Sequence, residues 1–178
     1  MTTSTDVFES QRLTARLWTL DDVEAAFAMY GDAETMRYIG DGATQPDLAA
    51  ARVLLSEVLK RNSHYRSGLG SWAVVEKATG KVVGNVILKP LAPKLCDVEV
   101  GWHLVKTVWG KGYAAEIARV IVEQGLKTVK LEEIIAVVQP GNTRSVAVTR
   151  KVGMKPMGQT QKYYDRTLDW FRITAADL

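Results

Sequence analysis

Two neighbouring runs decide the fold. They are Val98-Glu99-Val100-Gly101-Trp102-His103-Leu104 and, four residues on, Trp109-Gly110-Lys111-Gly112-Tyr113-Ala114. The first is β-branched and apolar with a carboxylate in its middle, which predicts a strand over 97–104. The second holds two glycines where the chain must turn. A long helix is predicted next, ending near Lys130. Ala114, Ile117, Ala118 and Ile121 make its apolar face, and Glu116, Arg119, Glu123, Lys127 and Lys130 its polar one. A strand, a glycine turn and a helix start together make an anion site. The first amides of the helix lack internal partners, and the macrodipole adds positive potential there.

Working outward, Ile134 to Val138 reads as a strand buried on both faces. Asn142 caps a further helix that stops at Gly153. Strands over 156–163 and 168–173 close the chain. Upstream, 12–17 alternates as a strand, and Thr19 caps a helix to Tyr30 with Asp21 and Asp22 in its first turn. Pro46 or Asp47 opens a helix to Asn62 whose apolar positions are Ala51, Leu54, Leu55, Val58 and Leu59. Residues 64–70 read as a loop. Strands over 71–75 and 82–89 form a hairpin around Gly80, with Pro90 and Pro93 as stops. The order β, α, α, β, β, β, α, β, α, β, β predicts a mixed α/β domain, mostly antiparallel with a central βαβ unit. One domain over 1–178 is expected, with 1–10 as a loose arm.

The chain has 178 residues, 47% of them hydrophobic and 24% charged, enough to build a core without staples. Its one cysteine, Cys96, excludes an intrachain disulfide and fits a reducing, cytoplasmic setting. Two histidines, His64 and His103, form no metal-ligand spacing with it. The net charge of +3 comes without the dense basic stripe of a nucleic-acid binder. The polar start lacks a secretory signal, and no apolar run reaches the ~18 to 20 residues of a membrane span. Neither nucleic acid nor membrane is therefore an expected partner.

Three ligands compete for the glycine turn. A P-loop fails, because Lys111 precedes Gly112 and Tyr113 follows it. A dinucleotide fingerprint is matched by Gly110, Gly112 and Ala115, with Glu132 downstream, but the turn falls too late in the chain for a doubly wound sheet. The third ligand is coenzyme A. Trp109 to Ala114 resembles the pyrophosphate turn of the GNAT acetyltransferases, Q/R-x-x-G-x-G/A, with Trp109 at the Q/R position as in the RimJ/RimL-like subgroup. Residues 9–22 resemble that subgroup's opening strand and helix start, and 98–104 its central strand. Gly141-Asn142-Thr143-Arg144-Ser145 through Gly153-Met154 resembles its N-x-x-S helix.

The resemblance implies an N-acetyltransferase that moves an acetyl group from acetyl-CoA to an amine within a ternary complex. The backbone of Trp102, His103 and Leu104 would hold pantetheine in a gap between splayed strands. The amides from Gly110 through Lys111, Gly112, Tyr113 and Ala114 to Ala115 would hold the pyrophosphate. Asn142 would touch pantetheine, and Arg144, Lys106, Lys111 and Lys151 are further phosphate candidates. Many members of the superfamily carry a Tyr acid seven residues after the Asn. Thr149 stands there, so Ser145 becomes the donor to the sulfur. Glu99 is the first candidate for general base, and His103, on the same strand face, the second. Cys96 has no evident activating base, so a covalent acetyl-enzyme is not expected.

The acceptor, a protein N-terminus or a small-molecule amine, would be lined by Tyr38-Ile39-Gly40, residues 64–70 and Tyr163-Tyr164-Asp165. Glu34, Asp41 and Asp165 are candidates to attract its charge. Three other readings stay open: a homodimer, a non-catalytic acyl-CoA-binding module, and a nucleotide-binding reductase.

Overall fold

A computed structural model describes residues 8–91 and 97–178. Cys96 and Pro93 lie outside the described residues. The strands are β1 Phe8–Glu9, β2 Leu13–Leu17, β3 Gly70–Glu76, β4 Val82–Pro90, β5 Val98–Leu104, β6 Glu133–Val138, β7 Lys155–Thr160 and β8 Leu168–Thr174. The helices are α1 Val23–Tyr30, α2 Ala33–Met36, α3 Leu48–Asn62, α4 Tyr113–Glu123 and α5 Thr143–Val152. The strands form one open sheet in the order β1-β2-β3-β4-β5-β6-β8-β7. Every neighbouring pair is antiparallel except β5 with β6. The predicted mixed α/β sheet with one central βαβ unit is the observed one.

Several boundaries differ from expectation for physical reasons. Phe8 and Glu9, assigned to a loose arm, pair with Ala15 and Thr14 as β1. Phe8 packs edge-to-face on Trp72 with ring centroids 5.0 Å apart, a long-range contact that leaves no local pattern. The Glu116 carboxylate accepts from Ser10 Oγ, Arg12 N and Arg12 Nε, and so ties this end of the chain to the first turn of α4. Helix α2 is a single turn too short for periodicity to reveal; Asp32 caps it by accepting from Thr35 N at 2.7 Å. The helix expected to run to Lys130 is α-helical to Glu123 and continues as a π-turn over Gln124–Thr128. A Cβ on Gly125 would lie 2.6 Å from Ile134 Cδ1 and 3.1 Å from Leu88 Cδ2, so a side chain there would need its neighbours to shift. Strand β7 ends at Thr160, which leaves Tyr163 and Tyr164 in a turn.

The core has two layers, one on each side of the sheet. On one face Leu13, Trp72, Val74, Val86, Leu88 and Val100 meet Ile117, Ala118, Ile121 and Val122 of α4. Fully burying each large aliphatic side chain contributes about 1.5–3 kcal/mol. On the other face Trp18, Ala26, Met29, Leu55 and Ala73 join α1 and α3 to the sheet. Among the described residues no helix is long and apolar enough to cross a membrane.

Candidate active site

The site is created by a pairing that stops. Strands β5 and β6 register only at Glu99 and Ile135, and beyond that point they part. Each remains fully paired on its outer side, β5 with β4 from Val98 to Leu104 and β6 with β8 from Glu133 to Val138. The gap opens into a cleft of about 720 Å³. Its walls include Leu104, Val108 and the start of α4, and also Glu99, Gly101, His103 and Ile87. The cleft therefore runs from the α4 face of the sheet through the gap to the face that carries Glu99.

At the α4 end the backbone is shaped for an anion. Gly110 and Gly112 have φ of 80° and 81°, the left-handed region where glycine carries no Cβ penalty. Gly112 is the N-cap of α4, so the amides of Tyr113, Ala114 and Ala115 belong to its unpartnered first turn. The Trp109 indole donates to the Leu104 carbonyl at 2.8 Å, which clamps the turn onto the end of β5. Arg144 of α5 stacks on the Trp109 ring, its guanidinium carbon 3.9 Å from the ring centroid. Trp109 stands where the wider family motif has Q or R, and it carries the Arg144 cation on its ring.

Along the gap the alternation of the antiparallel ladder decides which backbone groups are free. Val105 N donates to Val83 O, so odd-numbered residues of β5 bond to β4 and even-numbered ones face β6. Trp102 and Leu104 thus turn their amides and carbonyls to the gap, although the Leu104 carbonyl is already held by Trp109. The backbone of His103 is engaged with Asn85 of β4, which corrects the expectation that it faces the gap. His103 offers its side chain instead.

Glu99 is 8% exposed, not the solvated strand carboxylate its sequence neighbours allow. Burial pushes its carboxyl pKa upward, opposed by the Lys89 charge and by the hydrogen bond from Tyr164. The Tyr164 hydroxyl donates to Glu99 Oε2 at 2.6 Å, and Lys89 Nζ lies 3.7 Å from the same oxygen. Tyr164 and Asp165 hold φ of 57° and 50°, an uncommon conformation for non-glycine residues and one found often at functional turns. Burial and a positive neighbour, Lys89, lower the His103 pKa to about 4. His103 is then neutral near pH 7 and a poor base.

Asn142 Oδ1 accepts from Ser145 N at 3.2 Å, so the asparagine caps α5 while lining the cleft. Ser145 also lines it. Thr149 is buried and bonds back to the Val146 carbonyl, so it presents no acid there. Among the phosphate candidates, Lys111 is drawn to Glu76 at 3.7 Å and Lys106 is paired with Glu34, while Lys151 and Arg144 line the cleft.

The cleft is also lined by Tyr38, Ile39, Gly40, Asp41, Tyr164, Asp165 and Arg166. Residues 64–70 do not line it; Gly68 lies against Val129 instead. Glu34 lines the cleft as well, already paired with Lys106 and Arg144. Sequence reasoning missed Lys89, Ile87, Gln139 and Arg166. Lys89 had a signal, because a hairpin partner of β5 places it directly opposite Glu99.

The family profile described as "Acetyltransferase (GNAT) domain" matches residues 12–155. The chain belongs to the GNAT acetyltransferase family. The GNAT assignment agrees with the curated relative YnaD of Bacillus subtilis, named an uncharacterized N-acetyltransferase, which is 27% identical and aligns over 91% of this chain and 90% of its own. A GNAT-family acetyltransferase structure from Bacillus anthracis superposes with a TM-score of 0.78 at 25% identity, covering 94% of this chain and 98% of that one. Mycobacterium smegmatis RimJ, described in complex with CoA-disulfide, shares the fold with a TM-score of 0.82 at 19% identity, covering 98% of this chain and 90% of its own. The doubly wound dinucleotide sheet is excluded by the strand order, in which β5 and β6 are the single parallel pair among the described strands.

Proposed function

We propose that the protein transfers an acetyl group from acetyl-CoA to a primary amine, in one step within a ternary complex. The observation that carries this is the buried Glu99 carboxylate at the far end of a gap whose near end is an unpartnered helix start. The residues fit the donor. A negatively charged pyrophosphate suits the amides of Tyr113, Ala114 and Ala115 at the positive end of α4. An amide-bearing arm suits the free backbone of Trp102 and the side chain of Asn142. Acetyl-CoA supplies an activated thioester carbonyl, and the protein's own groups do the rest.

Glu99 takes the proton from the acceptor ammonium, directly or through water, since an alkylammonium near pKa ~10.4 is protonated at neutral pH. Its raised pKa brings it closer to the working pH and so makes it a stronger base than a solvated carboxylate. The Trp102 amide, a fixed donor facing the gap, stabilises charge on the thioester oxygen. Ser145 gives a proton to the departing sulfur, which needs little help because a thiol has a pKa of ~8.5. Asp41 and Asp165 at the mouth favour a cationic substrate.

Thermal unfolding with acetyl-CoA, CoA and NADPH tests the ligand class. A ligand at about 100 times its Kd adds about 2.7 kcal/mol, a shift of roughly 5 to 11 °C for a domain of this size. A shift with both CoA species and none with NADPH is expected. A shift with NADPH alone overturns the reading.

A further inference from the structure

Lys89 and Glu99 stand opposite each other in the register of β4 and β5, and both line the cleft. The Tyr164 hydroxyl joins them. Lys89 Nζ donates to that oxygen at 3.2 Å, and the hydroxyl donates to Glu99 Oε2 at 2.6 Å. An ammonium has no lone pair and can only donate. The order of donors is therefore fixed, from Lys89 through Tyr164 to Glu99. An ionised carboxylate would accept from the hydroxyl without that help. The difference comes once Glu99 holds a proton, because a carboxyl O–H can turn and donate to a phenol oxygen. Lys89 already fills that oxygen, so Tyr164 stays a donor and Oε2 an acceptor in both states. No described residue donates to Oε1.

The turn that carries Tyr164 has anchors of its own. The Tyr163 hydroxyl and Lys162 Nζ donate to Asp97 Oδ2 at 2.8 and 2.6 Å, and Arg166 donates to the Gly40 carbonyl at 2.6 Å. Tyr163 is also packed with Leu91, Ile135 and Leu168. What Lys89 adds is the direction of one hydroxyl, and a charge that strengthens its bond to Glu99.

We propose that Lys89 is a positioning residue that acts through Tyr164: it keeps the hydroxyl aimed at Oε2 of Glu99, so that the acceptor ammonium delivers its proton to Oε1. This role rests on Glu99 serving as the general base. In that step an N–H bond of the acceptor breaks and leaves its electron pair on nitrogen, while an O–H bond forms at Oε1. The freed pair attacks the thioester carbonyl, and the carbon–sulfur bond then breaks with its pair on sulfur. The other groups around Glu99 do not compete with Lys89. Ile135 is in register with it from β6 and brings no charge. On β5 itself Asp97 is held by Lys162 and Tyr163, and His103 is neutral near pH 7. Lys89 is the one cation paired with Glu99 among the described residues.

Carbon-13 spectra of the glutamate carboxyls, with E99Q to identify the signal, follow the titration of Glu99 without any turnover. K89M is expected to raise its midpoint by about one pH unit and to carry the acid limb of kcat/KM with it, a roughly tenfold loss on the acid side of that limb. K89R keeps both donor and charge, and is expected to bring both readouts back toward wild type. In a Y164F background there is no hydroxyl to aim, so K89M is expected to shift the midpoint by roughly half as much or less. An undiminished K89M shift in Y164F would mean that Lys89 acts by its charge alone, and overturns the proposal. So does a midpoint that K89M leaves unmoved. Acetyl-CoA affinity and melting temperature are expected to stay near wild type in K89M; a loss of both would make Lys89 structural and also overturn it. Absence of transfer to any amine, with the K89M shift diminished in Y164F, would reject the acetyltransferase reading while leaving the chain from Lys89 through Tyr164 to Glu99 in place.

Discussion

The Tyr164 hydroxyl donates to Glu99 Oε2 at 2.6 Å, joining a turn between β7 and β8 to the middle of β5. Burial pushes the Glu99 pKa upward, and the Lys89 charge and that bond oppose the push. Removing the bond raises the Glu99 pKa further. Y164F is therefore expected to move the acid limb of the kcat/KM–pH profile to higher pH, because Glu99 works when ionised. An unmoved limb would mean that Glu99 is not the group being titrated.

Glu99 itself trades stability for function. A carboxyl whose pKa is higher in the folded state binds its proton more tightly there. The native state is favoured most below the unfolded pKa, and that advantage fades as pH rises through the raised folded value. Gln carries no such pH dependence. E99Q is expected to melt no lower than wild type at pH 7, with the difference shrinking toward pH 4, while acetyl transfer falls by roughly 10²- to 10⁴-fold. A melting temperature that falls along with activity would assign Glu99 a structural role.

Trp109 links three parts of the donor site through Leu104 and Arg144. W109A removes a donor to the Leu104 carbonyl and the surface on which the guanidinium rests. Titration calorimetry is expected to show acetyl-CoA binding weakened by roughly tenfold or more, from a cation–π contact and one hydrogen bond. The acceptor KM should move far less.

Gly84 is a packing position in β4. A Cβ built there would meet Leu104 Cδ2 at 2.2 Å and the His103 carbonyl at 2.6 Å. The second atom is backbone and cannot swing aside. G84A is expected to destabilise the fold by about 1–3 kcal/mol, read by denaturant unfolding, and to disturb the end of β5 where the cleft begins.

Much of this was legible in the amino-acid order because it depends on near neighbours. The amphipathic spacing of α4, the glycines at 110 and 112, the Asn142 cap and the Gly153 stop act within a few residues, so local chemistry sets them. The ordered set of motifs also named the family. Strand β1 and helix α2 escaped because two paired residues and one turn carry too little pattern. The π-turn after Glu123 left no break in the local pattern of residues.

The sequence by itself determined that a mixed α/β sheet places a glycine turn and a helix start beside a strand carrying Glu99 and His103. Only the tertiary structure decided what those side chains meet. Pairing between β5 and β6 ends after one register position, which opens the cleft. Lys89 and Tyr164 meet Glu99 from other strands and turns, and Tyr30 meets His103 from α1. Burial and partner charges set a group's proton affinity, and both come from residues far away in the chain.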